Sequence, residues 1–188
     1  MNSFTSLSGQ LLVSMPSMKG DYFSHTVTLL IEHNRDGAFG LVVNRPLDAD
    51  LSDLLTDDDE FDFTTDLHGK VPLLETGPVE QNRLFFLHSS ERRFSYSVPI
   101  NNEVSLSTSL DLLHAIPKQE GPADLLAGLG YAGWSSGQLE NEIKADVWLV
   151  TPYVHNAVFN MPYEDRPQLA ADAIGIDLNL IAPTLGHG

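Results

Sequence analysis

Between Thr26 and Val43 the sequence spells a β-hairpin, and this passage limits what the chain can fold into more than any other. Val27, Leu29 and Ile31 fall on one face of a β-branched run. Asn34-Arg35-Asp36-Gly37 follows, and Asp-Gly is a strong tight-turn signal because both residues tolerate positive φ. Phe39, Leu41 and Val43 then return in alternation. The hairpin sorts its polar residues into two clusters. His33 and Asn34 sit at the tip, whereas Asn44, Arg45 and Pro46 lie at the open end, about 20 Å away at roughly 3.3 Å per residue. Asp21, Ser24 and His25 enter the first strand and are expected near Asn44 and Arg45. An Arg45–Asp21 ion pair fastening the hairpin base is the structural expectation there, and an anion or ligand site is the functional one.

The rest of the chain reads as strands first and strand–helix–strand later. Gly9–Met15 is an apolar run stopped by Pro16, and Leu51–Leu55 is a short helix entered through Asp50. Asp57–Asp66 is expected as an acidic surface loop without calcium-loop spacing. Leu73–Glu75, Leu84–His88, Phe94–Val98 and Val104–Leu106 read as strands. A helix is expected from Thr108, with Asp111 as capping partner and Pro117 as its stop. Asp124–Leu129 reads as a buried strand, followed by a glycine turn that admits Tyr131 and Trp134 into a packed corner. Ser135 and Gln138 have the capping-box spacing for the next helix, where Glu140 and Lys144 are spaced to pair. A last helix begins at Pro167 and stops at Gly175. This order predicts an α+β domain with a mixed sheet.

Charge and composition exclude several function classes. Ten Lys and Arg stand against 26 Asp and Glu, for a net charge of −16. Nucleic-acid binding depends on neutralising phosphates with basic groups, so direct nucleic-acid binding is not expected. Only Arg92 and Arg93 are adjacent cations. The absence of cysteine removes thiol nucleophiles, disulfides and thiolate metal sites. It agrees with a cytoplasmic location. No secretory signal and no apolar run of membrane-spanning length are read.

The remaining motifs carry little chemistry. Gly128-Leu129-Gly130-Tyr131-Ala132-Gly133 matches G-x-G-x-x-G, but the helix is expected only from Ser135, too late to offer its amides to a pyrophosphate. The histidines are dispersed and no metal site is expected; Glu32 and His33 point to opposite faces of a strand. No serine nucleophile has a base aimed at it. Gly77-Pro78 and His88 lie on the connection around Arg83, a further anion candidate. Gln138 sits beside Trp134.

Taken together, GQLLVSMP, DYFSHTVTLLIEHNRDGAFGLVVNRPL, TGPVEQNRLFFLH and GLGYAGWSSGQLENEI resemble the AlgH/YqgE family of bacterial proteins, in that family's order and over nearly the whole chain. The resemblance implies a single domain over residues 1–188, with a strongly bent, barrel-like sheet flanked by short helices. It also implies a cytoplasmic protein without an established molecular activity, described as a transcriptional regulator. Carried over by motif, the candidate surface includes His33, Asn34, Asn44, Arg45, Gly77, Pro78, Trp134 and Gln138. Thr76 stands where the family has glycine.

The ligand-binding candidates are therefore Asp21, His25, Asn44, Arg45, Gly77, Pro78, His88, Trp134 and Gln138, with no cofactor expected. The leading expectation is a binding or regulatory protein acting through a small ligand or a protein partner. The rival is an enzyme for a small anionic substrate, with Arg45 as the clamp and His25 or His88 as the acid–base.

Overall fold

The computed structural model describes residues 4–18, 20–57 and 62–181. Its strands are β1 (Leu11–Ser14), β2 (Val27–Asn34), β3 (Gly37–Val42), β4 (Leu73–Glu75), β5 (Val79–Ser89), β6 (Ser97–Pro99), β7 (Val104–Ser107), β8 (Leu125–Ser135) and β9 (Trp148–Thr151). Its helices are α1 (Phe63–Leu67), α2 (Asp111–His114), α3 (Gln138–Lys144), α4 (His155–Val158) and α5 (Arg166–Asp172). The pairing is antiparallel except that β4 runs parallel to β8, so the protein is α+β with a mixed sheet. The chain divides into two compact units: residues 1–44 with 132–188, and Arg45–Tyr131.

In the first unit the expected hairpin forms. Thr28 pairs with Val42 and Asn34 with Gly37, across an irregularity between Leu30 and Glu32. β1 lies on the other side of β2 and carries β9 beyond it, while the end of β8 lies beside β3. Val27–Leu30 are buried without a break, as a strand covered on both faces requires. The core here joins Leu12, Leu30, Ala132, Trp134, Leu139 and Trp148.

In the second unit β5 lies between β7 and β8, and β7 carries β6. Phe63, Leu67, Leu73, Phe86, Leu112 and Ala127 share its core. Asp50 caps a short 3₁₀ turn over Leu51–Leu54. Two carboxylates of the acidic stretch, on either side of residues 58–61, serve the backbone of α1. Asp57 accepts from the Phe63 amide at 2.8 Å, and Asp62 caps α1 through Thr65. Residues 58–61 of that stretch lie outside the described residues.

Several expected boundaries move. The glycine passage is not a turn, because β8 runs unbroken from Leu125 to Ser135. Its glycines make room for a neighbouring segment. Thr76 lies over Gly128, donates its hydroxyl to the Gly130 carbonyl and sends its amide to the Leu129 carbonyl. Ser135 is not the N-cap of α3; Gly137 is, in the left-handed region at φ 73°. Gln138 nonetheless reaches back, accepting from the Ser135 amide at 3.0 Å. α2 starts at Asp111 rather than Thr108, and Asp111 accepts from the Ser95 amide instead of capping. The strand expected over Phe94–Val98 shrinks to Ser97–Pro99.

Gly130 and Gly137 separate two reasons for needing glycine. Both have positive φ, but a Cβ on Gly137 would meet nothing within 4 Å, whereas one on Gly130 would run into the Gly77 carbonyl. Gly137→Ala is expected to lose about 1–2 kcal/mol from the backbone term alone, and Gly130→Ala more than that. Urea unfolding midpoints of the two variants check the order.

Candidate functional site

The hairpin tip is a structural lock. Leu7 N–H donates to His33 Nδ1 at 2.9 Å, so Nε2 carries the proton and donates to Glu140 at 3.1 Å. Ser6 and Ser8 bond the His33 carbonyl and amide, and the Phe4 ring lies 4.9 Å from the imidazole. Glu140 thus faces His33, and Lys144 adds only a through-space attraction. The Glu140 carboxyl is held below its usual range, first by a bond to its own backbone amide and then by His33.

The hairpin base is also internally occupied. Asn44 Oδ1 accepts from the Val27 amide at 2.9 Å, and its Nδ2 donates to the His25 carbonyl at 2.8 Å. Both ends of the Asn44 amide are thus spent on backbone. His25 is exposed, in the left-handed region at φ 56°. It lines a hollow with Ser14, Asp165 and Gln168, apart from the other candidates.

Beside the base lies an arginine that sequence reading passed over. Arg166 is 4% exposed and donates to the carbonyls of Met161, Val43, Val158 and Phe159 at 2.6–2.9 Å. Its guanidinium also stacks 4.4 Å from the centre of the Tyr163 ring. Burial pushes its pKa down, and Tyr163 opposes that shift. Carbonyls at the end of α4 supply the compensating negative dipole. No carboxylate is among these partners, so no spacing of opposite charges could have signalled them.

Trp134, Gln138 and Asp21 do come together. With Phe23, Glu142 and Trp148 they line an open cavity of about 690 Å³. Both indole N–H groups donate to one oxygen, Glu142 Oε2, from Trp134 at 2.9 Å and Trp148 at 2.7 Å. The other oxygen accepts from Gln138 Nε2 at 2.9 Å. Helical spacing makes this possible, since Gln138 and Glu142 sit one turn apart on α3. The Phe23 ring lies 6.3 Å from Trp134 and 5.4 Å from Trp148. Asp21 Oδ1 accepts from the Phe23 amide at 3.0 Å, which fixes the loop that closes this wall. Glu142, Phe23 and Trp148 were the missed members; the i,i+4 step from Gln138 was the one available signal.

The candidates of the second unit hold its own framework. The Arg45 carbonyl accepts from the Glu75 amide at 2.9 Å, and Gly77 is buried under Gly130 while Pro78 is exposed. Arg83 is not a spare anion clamp: it pairs with Glu80 at 3.1 Å and covers the Phe85 ring. His88 lies within β5. It is fully buried, with Nδ1 donating to the Ser89 carbonyl and Nε2 accepting from Ser97, both at 2.9 Å. Both ring nitrogens are thus engaged within the second unit. Among the described residues no group of three or more His, Asp or Glu is placed to hold a metal ion, and no helix is long and apolar enough to cross a membrane.

This α+β arrangement is found in solved structures. The AlgH protein from Pseudomonas aeruginosa matches with a TM-score of 0.74 and 35% identity, covering 100% of this chain and 99% of that one. Protein DIP2367 from Corynebacterium diphtheriae, at 20% identity and TM-score 0.69, shares the fold over 90% of this chain and 94% of its own. The AlgH-like family matches residues 11–179, and the chain belongs to it. Similar relatives include UPF0301 proteins of Thioalkalivibrio sulfidiphilus, 40% identical with 100% of both chains covered, and of Alcanivorax borkumensis, 43% identical with 95% of this chain and 94% of the other covered. None of these names states a molecular activity.

Two outcomes follow from the locks. A folded-state pKa held down stabilises the fold above the unfolded value, about 4.3 for Glu, and this contribution disappears as pH falls through the folded value. Glu140→Gln is therefore expected to flatten the fall of stability below about pH 5 and to leave its shape near neutrality unchanged, as read by denaturant melts across pH. Arg166→Met leaves four carbonyls without their donor and is expected to lose on the order of 3–5 kcal/mol, as read from the urea midpoint.

Proposed function

We propose that this protein is a binding protein of regulatory type, and that its ligand is a small molecule carrying a flat ring and a positive charge. The observation that carries this reading is the convergence of Trp134, Trp148, Phe23, Asp21 and Glu142 on one open cavity of about 690 Å³. That volume lies in the range of small-molecule sites. Aromatic faces attract cations through their quadrupole. The two carboxylates add negative charge, and Asp21 keeps its second oxygen outside the bond to Phe23. Gln138, exposed at the rim, holds the Glu142 carboxylate in place.

The net charge of −16 supports the same choice of ligand and opposes a phosphate backbone. Any role in transcription then runs through the ligand or a protein partner rather than DNA contact. We place the protein in the cytoplasm, where a chain without cysteine forgoes nothing.

Both tryptophans of the chain line the cavity, so indole emission reports on it. Titration with phenethylammonium is expected to change that emission saturably, and the matched anion phenylacetate is expected not to. Asp21→Asn is expected to weaken the cation's binding about tenfold. No saturable change with the cation, or a preference for the anion, overturns the proposal.

A further inference from the structure

The second unit holds a cavity of about 320 Å³ that the preceding reading does not use. Arg92, Arg93, Ser90, Ser97, Asn101 and Ser105 line it. These are the adjacent arginines of a chain with ten Lys and Arg against 26 Asp and Glu. In such a protein an arginine normally finds a carboxylate. Among the described residues neither guanidinium has an ion pair or hydrogen bond. Their neighbour Glu91 is engaged elsewhere: one carboxylate oxygen accepts from the Ala123 amide and from Ser89 Oγ, the latter at 3.0 Å.

The rest of the lining includes several hydrogen-bond donors. Asn101 Oδ1 is occupied by the amides of Glu103 at 2.8 Å and Val104 at 3.0 Å, which leaves its NH₂ as the group on offer. Ser90 and Ser105 share one hydrogen bond at 2.8 Å, so one of their two hydroxyl protons remains available. Ser105 is itself buried, 6% exposed. The Ser97 hydroxyl donates to His88 Nε2, and the buried imidazole keeps this wall in place. Two guanidinium forks, an amide NH₂ and a spare hydroxyl proton around a small hollow suit an oxyanion.

We propose that this cavity binds a small, doubly charged oxyanion, either a phosphate monoester or a compact dicarboxylate. The site lies in Arg45–Tyr131, whereas the aromatic cavity belongs to the other unit, so each stands or falls by its own readout. Isothermal titration at low ionic strength with inorganic phosphate, and separately with malonate, tests it. One-site saturable binding of at least one anion is expected, and the stronger of the two names the source.

The Arg92→Ala/Arg93→Ala double variant is expected to weaken binding about tenfold or more. The double lysine variant, which keeps charge but loses the forks, is expected to fall in between. Arg35→Ala, an exposed arginine on the hairpin turn, is expected to leave binding unchanged. Both arginines of the cavity are exposed, so the variants should fold; circular dichroism verifies this, and the double glutamine variant replaces any that does not. The proposal is overturned by no saturable heat with either anion, by binding that survives loss of both arginines, or by an equal loss on Arg35→Ala.

Discussion

The register of β2 is the constraint on which the first unit rests. Val27–Leu30 are buried on both faces, so a slip of one residue would exchange every side chain between two interiors. The chain pins this register at both ends with side chains instead of relying on the tight turn alone. Asn44 takes the Val27 amide at one end. His33 ties the other to the N-terminal segment and to α3. α3, held there by Glu140, can then present Gln138 and Glu142 to the two indoles. The aromatic cavity is thus a consequence of strand register carried through one short helix.

What the sequence disclosed was what is local. The hairpin needs only alternation and Asp-Gly, and Gln138 reaching back to Ser135 needs only a three-residue spacing. What stayed hidden was long-range. Arg166 finds the Val43 carbonyl 123 positions away, and His33 finds Glu140 107 positions away. Backbone carbonyls leave no mark in composition, so a buried arginine that lives on them looks like any surface cation. The glycine passage misled for a related reason. Those glycines accommodate Thr76 and Gly77 from a distant segment, and nothing within Leu125–Ser135 says so.

Of the site candidates, Asp21, Trp134 and Gln138 converge, whereas Asn44 and His88 are consumed by the scaffold. The division has a physical basis. Asn and His at strand ends are good satisfiers of buried backbone groups, and a buried amide left unpaired is expensive. Asp21, exposed on a loop, spends only one oxygen on a backbone amide. Polar residues that flank strands are therefore weak pointers to function unless their backbone neighbours are satisfied by something else.

The clamps at the tip and at the base of the hairpin also differ in kind. At the tip His33 is held by Glu140, a carboxylate whose charge is lost once pH falls through its lowered pKa. Arg166, by contrast, holds neutral carbonyls with a charge that water chemistry does not remove. Acid therefore acts on the hairpin from one direction only. Fraying would start at the turn and the N-terminal segment and travel toward a clamp indifferent to it, giving the hairpin a built-in polarity of opening.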